Sequence, residues 1–228
     1  MSLLKKLAGE TAIYGLSSIL GRLLNYVLLT PYLTRVFNTE SYGIISDIYA
    51  YVAFLTVIFT YRMETAFFRF ASREETRGNA FETASGLLII STIGLSGCLA
   101  FFVPQLAELS NYQRNPEYLY LFTGVLALDT LVAIPFARLR LQNRPWRFAG
   151  LRLMNILINI GFLFFFLELC PWLIKHNFQW AAWLYKDDFR IGYVFLSNFI
   201  ASVFTFIPFL PVFKHVKSGF DRFLAKKM

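Results

Sequence analysis

The sequence has little histidine and little cysteine, with two residues of each among 228. His176 and His215 lie in separate predicted loops, which leaves no cluster for a histidine-rich metal site. Cys98 and Cys170 match no metal-ligand spacing, imply no disulfide, and are expected to pack as small apolar residues. The sequence also lacks a glycine-rich phosphate loop and a nucleophile with a base at the same depth. We therefore expect neither enzymatic activity nor a cofactor.

Charged residues make up only 16% of the chain, whereas 57% of the residues are hydrophobic. Soluble domains average nearer 45–50% apolar residues. No window alternates as a barrel strand does, so the long apolar runs predict membrane-spanning helices of about 20 residues. Six such spans are predicted, near residues 11–36, 42–68, 83–106, 117–139, 149–170 and 191–213. The predicted fold is an all-α integral membrane protein, with a six-helix transmembrane bundle over residues 1–213 and a basic tail over residues 214–228.

The positive charges follow a pattern along the chain. Of the 22 Lys and Arg residues, 15 fall on the side of the membrane that holds both termini, 5 fall on the opposite side, and Arg22 and Arg62 lie within spans. This asymmetry predicts that both termini are cytoplasmic, because cytoplasmic loops are enriched in Lys and Arg. Attraction to anionic membrane lipids is a second consequence. The net charge of +8 therefore needs no nucleic-acid partner to explain it.

The first predicted span contains an arginine near its middle. A charge at the bilayer centre costs roughly 2.5–3.5 kcal/mol on insertion scales, so Arg22 is expected to have a role there. Ser18, Arg22 and Asn25 share one helical face by their spacing, and Pro31 is expected to kink the helix. These features favour a cavity-lining helix. The alternative is a structural arginine that is paired with a neighbouring helix.

The second predicted span carries Asp47 towards its outer end and both Arg62 and Glu64 towards its cytoplasmic end. Residues two apart on a helix point about 200° apart, so Arg62 and Glu64 are expected not to face the same cavity. We predict that Arg62 faces the cavity. Glu64 is predicted to face a neighbouring helix, where a cation or a hydroxyl satisfies it.

The fourth and fifth predicted spans contain further polar groups. Asp129 lies near the middle of the fourth span, where it either pairs with Arg22 at a similar depth or titrates and couples transport to protons. Asn155 and Asn159 lie four residues apart in the fifth span and are predicted to form interhelical hydrogen bonds.

Several segments are similar to one transporter family. The first is the run LAGETAIYGLSSILGRLLNYVLLTPYLTRVFNTESYGIISDIYAYVAFLTVIFTYRMETAFFRFAS. This run includes a cationic first span, a short outer turn FNTESYG and a second span ending in ETAFFRFAS. The second is the basic turn RLRLQNRPWRFAGLR. The chain resembles the start of the polysaccharide-exporter flippases. Their superfamily also includes the lipid II flippases and the multidrug and toxin extrusion transporters. The resemblance covers all 228 residues, and its most specific part is residues 8–72.

The resemblance implies a function and an architecture. Members of the family move undecaprenyl-pyrophosphate-linked oligosaccharide across the inner membrane by alternating access between two six-helix lobes. By position, Arg22 and Arg62 would face the pyrophosphate, with Ser18 and Asn25 beside Arg22. The family has 12 to 14 spans, and the final stretch KHVKSGFDRFLAKKM resembles the connector before the seventh. We therefore expect this chain to be the N-terminal lobe, encoded by a truncated reading frame. A second lobe or a homodimer would then be needed to complete the cavity.

Two other functions stay open from the sequence. A cation-coupled multidrug antiporter lobe of the same superfamily would depend on an acid, either Asp129 or Glu64, more than on the arginines. A non-transporting membrane protein, either a scaffold for glycan assembly or an inactive fragment, would depend on none of them.

Overall fold

The computed structural model describes residues 14–16, 19–20, 23–73, 76, 78–110, 112, 115–213 and 220–228, with only the backbone at Asn25, Tyr26 and Gln179. Ser18 and Arg22 lie outside the described residues. The regular elements within these ranges are all helices. They are α1 (Thr30–Val36), α2 (Thr39–Thr60), α3 (Met63–Ala71), α4 (Ala80–Leu109), α5 (Glu117–Leu141), α6 (Pro145–Phe164), α7 (Cys170–Lys175), α8 (Gln179–Leu184), α9 (Gly192–Phe206), α10 (Leu210–Phe213) and α11 (Arg222–Ala225).

Five helical stretches in the described part of the chain are long and apolar enough to cross a membrane. They are α2 with α3, α4, α5, α6 with α7, and α9 with α10, and they overlap the second to sixth predicted spans. The predicted α-helical, multi-pass membrane architecture is confirmed at this level. The described residues of the first predicted span are helical as well.

Helix α5 is the centre of the bundle. It packs against α4, α9 and α2, while α6 packs mainly against α9. Over its most apolar 18 residues, 56% of α5 is buried, compared with 17% for α2 with α3 and 22% for α4. The outer helices therefore present apolar faces outward, as helices in contact with lipid do. A cleft opens between α2 with α3 on one side and α6 on the other, and α5 and α9 form its floor.

The second predicted span is interrupted. Helix α2 ends at Thr60, and the next two residues, Tyr61 and Arg62, have φ angles of 29° and 54°. Left-handed backbone costs a residue with a side chain roughly 1–2 kcal/mol. Helix α3 then begins at Met63. The span predicted near residues 42–68 is therefore present, and it is divided into two helices at Tyr61 and Arg62.

Two π-helical turns each lie directly before a short α-helix that contains a proline. One π turn spans Asn25–Leu29 directly before α1, which contains Pro31, and another spans Phe165–Leu169 before α7, which contains Pro171. Proline removes a backbone donor, so the preceding turn has to rearrange its hydrogen bonds. The π turn before Pro31 is a departure from regular α-helix of the kind that accompanies kinks, and the kink expected at Pro31 stays a prediction. A side-chain bond connects the two regions, since the Tyr32 hydroxyl donates to Oε1 of Glu168 at 2.9 Å.

The turn between α5 and α6 is short because of one asparagine. Asn143 has a φ of 51°, and the N–H of Arg144 donates to the carbonyl of Leu139 at 3.0 Å. The N–H of Asn143 donates to the carbonyl of Arg140 at 3.1 Å. This pair of bonds forms a Schellman motif, in which asparagine tolerates the left-handed position better than most residues. Because the backbone of Arg140 and Arg144 takes part in these two bonds, the turn fixes the positions from which their side chains extend.

Replacing Asn143 with alanine is expected to lower the free energy of unfolding by about 1 kcal/mol, because alanine is strained at this φ. Asn143→Gly should lower it by less than about 0.5 kcal/mol, since glycine adopts the same angle freely. Unfolding of the purified chain in detergent, followed by circular dichroism, measures both values. Equal losses for the two variants would contradict the assigned backbone strain.

Candidate functional site

The cleft consists of two cavities. One, of about 500 Å³, lies nearer the α5–α6 turn and is called the basic half. The other, of about 470 Å³, lies nearer α1 and is called the neutral half. Asn155 lines both cavities, so the two halves meet at this residue of α6. The end of the bundle that carries the α5–α6 turn is called the basic end.

Three arginines line the basic half: Arg62, Arg140 and Arg152. Arg140 forms an ion pair with Glu64 across the gap between α5 and α3. Aromatic rings hold Arg152, whose guanidinium carbon lies 4.9 Å from the ring centroid of Phe136. Such a contact orients a guanidinium without neutralising it.

Two of these cations lie beyond ion-pair distance of any acid in the described part of the chain. Neither Arg62 nor Arg152 forms an ion pair there, and both side chains are exposed to the cleft. Glu64 and Asp129 are the acids of the basic half, so its three arginines leave a net positive charge. A cleft of this kind attracts anions, because the cations along it give it a positive potential that low-dielectric walls focus.

The expectation that Arg62 and Glu64 cannot face one cavity is wrong, because both line the basic half. The expected 200° separation assumes a continuous helix, and the left-handed backbone at Tyr61 and Arg62 removes that condition. The related expectation, that a cation satisfies Glu64, is confirmed by its ion pair with Arg140.

Asp129 lies on the floor of the basic half. The Ser202 hydroxyl of α9 donates to Oδ1 of Asp129 at 2.7 Å, and Arg152 lies across the cleft, beyond ion-pair distance. Within the described residues Asp129 forms no ion pair. Its predicted pairing with Arg22 stays a prediction, since Arg22 is outside those residues.

The neutral half is lined by amides and hydroxyls. Asn155 donates through Nδ2 to the Thr205 hydroxyl at 2.9 Å, which joins α6 to α9 as predicted for an interhelical hydrogen bond. Asn198 donates through Nδ2 to the Tyr49 hydroxyl at 3.3 Å, which joins α9 to α2. Asn159 also lines this half. This half therefore offers uncharged hydrogen-bonding groups.

Asp47 does not line either half of the cleft. Its side chain is exposed on α2 and lies near Tyr112, in the connection between α4 and α5. Burial, together with the charge of Asp47, raises the pKa of Tyr112 above its ordinary value. The backbone of Asn25 lies in the first π turn.

Arg140 and Arg152 were missed as site residues, because both were counted among the loop charges that set the orientation. A signal for Arg140 was present in the sequence. Asp129, Val132, Phe136 and Arg140 are spaced by three or four residues, which places them on one face of α5. The spacing therefore places Asp129 and Arg140, three helical turns apart, on the same face of α5.

The long apolar helices and the polar cleft define the class of this protein, an α-helical multi-pass membrane protein with a charged cleft between its helices. No protein-family model, no curated protein and no solved structure matches the chain.

Proposed function

We propose that this chain is the N-terminal lobe of a transporter that flips undecaprenyl-pyrophosphate-linked oligosaccharide from the cytoplasmic to the outer face of a bacterial inner membrane. The observation that carries this proposal is the pair of cleft arginines, Arg62 and Arg152, which have no ion-pair partner in the described residues. Both termini would be cytoplasmic, and the basic end of the bundle would face the cytoplasm.

The chemistry of a diphosphate fits the basic half of the cleft. A diphosphate carries several negative charges that enter a low-dielectric passage only with fixed positive partners. Arginine suits this role, because its planar guanidinium stays charged and binds phosphate oxygens through two parallel hydrogen bonds. The ring of Phe136 beside Arg152 supports that geometry without competing for the charge.

The neutral half fits the carbohydrate part of such a substrate. Sugar hydroxyls both donate and accept hydrogen bonds, as do the amides of Asn155, Asn159 and Asn198 and the hydroxyl of Tyr49. The two halves meet at Asn155. A diphosphate in one half and a sugar in the other would therefore lie in adjacent cavities.

One lobe would supply only part of the transport path. Transporters built from repeats place their substrate site at the interface between the repeats. A second lobe, or a second copy of this chain, would close the open side of the cleft. Binding of substrate is therefore a better test of this chain alone than transport.

The full chain in lipid nanodiscs is expected to bind a fluorescent polyprenyl-diphosphate-linked sugar at least about tenfold more tightly than the same isoprenoid alcohol without phosphate, since one charge-assisted contact contributes that much. Fluorescence anisotropy measures both affinities. Equal affinity for the two lipids would overturn the proposal. The chain offers a matched reference variant, Asp129→Asn, which keeps a side-chain acceptor for Ser202 and removes the acid.

A cation-coupled drug antiporter is the second candidate, and it is favoured by Asp129, an acid that lines the cleft and forms no ion pair in the described residues. The same nanodiscs distinguish the two functions with the cationic dye ethidium. If the flippase function is right, Asp129→Asn leaves the affinity for the diphosphate lipid within about threefold, and ethidium does not bind. Ethidium binding that Asp129→Asn abolishes would favour the antiporter instead.

A further inference from the structure

A second cavity lies on the opposite side of α5 from the cleft. Its volume is about 850 Å³, and it lies at the basic end between α4, α5, α6 and the segment from Pro208 to Val212. No residue that lines it also lines the cleft. We call it the lateral cavity. A ligand there would not share the proposed transport site.

The polar wall of the lateral cavity is basic. Arg138, Arg144 and Arg147 line it, and Glu82 is the acid among its lining residues. Arg138 is fixed in place, since its guanidinium carbon lies 4.2 Å from the ring centroid of Phe81. Arg144 follows Asn143 in the turn between α5 and α6, and its backbone N–H is bonded to the carbonyl of Leu139. The arginines are thus presented by a defined turn and a stacked ring.

The remaining wall of the lateral cavity is apolar. It includes Leu139, Leu151 and Phe209, which lie on three different helical segments. A cavity with a cationic rim and an apolar wall fits an amphiphile whose headgroup is negative. The helices that line the cavity are long and apolar enough to cross a membrane, and a cavity at their end would lie at the depth of phospholipid headgroups. Basic pockets between helices at that depth bind anionic headgroups.

We propose that the lateral cavity binds one anionic phospholipid, with its phosphodiester between Arg144 and Arg147 and an acyl chain along Leu139 and Leu151. Three arginines against one glutamate favour an anionic headgroup over a zwitterionic one. This inference goes beyond the proposed transport, and it does not depend on which substrate the cleft binds.

Native mass spectrometry of the full chain in detergent, titrated with dioleoyl phosphatidylglycerol, tests the proposal. We expect one lipid to bind with an affinity at least about tenfold above that for dioleoyl phosphatidylethanolamine. The double variant Arg144→Gln with Arg147→Gln should weaken phosphatidylglycerol binding about tenfold, because the surface attraction of each arginine is modest. Both side chains are exposed, so their loss should leave the fold intact.

The matched control is Arg69→Gln with Arg73→Gln, which removes the same charge at the same end of the bundle but outside the lateral cavity. This control should retain wild-type lipid affinity. Equal weakening in the two double variants would overturn the site in favour of general attraction to the basic end. Displacement of the lipid by inorganic phosphate alone, or tighter binding of phosphatidylethanolamine, would overturn the lipid as the ligand. Failure of the unmodified chain to bind the diphosphate lipid would count against the proposed transport and would leave the lipid site in the lateral cavity unaffected.

Discussion

Replacing both Arg62 and Arg152 with glutamine is expected to weaken binding of a polyprenyl-diphosphate-linked sugar about 100-fold. Each arginine should contribute about 1.4 kcal/mol through charge-assisted hydrogen bonds to phosphate oxygens, and each such increment is tenfold in affinity. Glutamine retains a hydrogen-bonding side chain and loses the charge, so the loss reports the charge itself. Fluorescence anisotropy in nanodiscs measures the affinity.

The lysine replacements Arg62→Lys and Arg152→Lys provide the sharpest control for that experiment. They retain the charge and remove the planar guanidinium, so an intermediate loss is expected. Arg69→Gln with Arg73→Gln removes two charges outside the cleft and should leave the affinity unchanged. Unchanged binding in the double cleft variant, with the protein folded by circular dichroism, would show that the cleft cations do not contact the substrate.

Breaking the ion pair between Glu64 and Arg140 is expected to give the second large effect. Glu64→Gln should lower the free energy of unfolding by about 1–2 kcal/mol, because it leaves Arg140 without its acid. A fully buried pair would lose about 3–5 kcal/mol, but these side chains are 37% and 38% exposed, which screens part of the interaction. Thermal unfolding in detergent measures the change.

A double-mutant cycle with Glu64→Gln and Arg140→Gln isolates the contribution of this pair. The double variant should lose less stability than the sum of the two single variants. Each single variant leaves one charged side chain without its partner, whereas the double variant leaves no unpaired charge. Strict additivity would mean that the two side chains do not interact in the folded protein. The same cycle tests whether α3 is held to α5 across the break at Tyr61 and Arg62.

The interhelical role of Asn155 was predictable, because a polar side chain on a long apolar helix has few ways to be satisfied. The break before α3 was not predictable. Neither Tyr61 nor Arg62 is a glycine or a proline, so no local signal marks left-handed backbone there. It arises from how α3 packs, where Met63 and Phe67 join a buried cluster with Leu88.

The cleft charges show a second limit of sequence reasoning. Arg140 and Arg152 lie near helix ends, where positive charge is expected for orientation alone. A charge that sets orientation and a charge that lines a cleft look the same in a count of loop residues. Only the path of α5 and α6 around the turn at Asn143 shows that these two side chains face inward.

The two π turns bear on how this chain should be aligned with relatives. A π turn arises when an α-helix accommodates one additional residue locally, whereas the same insertion in a regular α-helix would rotate everything beyond it by about 100°. A homologous helix without the insertion would be one residue shorter and would keep its flanking positions in register. Alignments should therefore place single-residue gaps within Asn25–Leu29 and Phe165–Leu169 rather than in the adjoining loops. A gap placed in the turn between α5 and α6 instead would shift Asn155 and Asn159 away from their true counterparts.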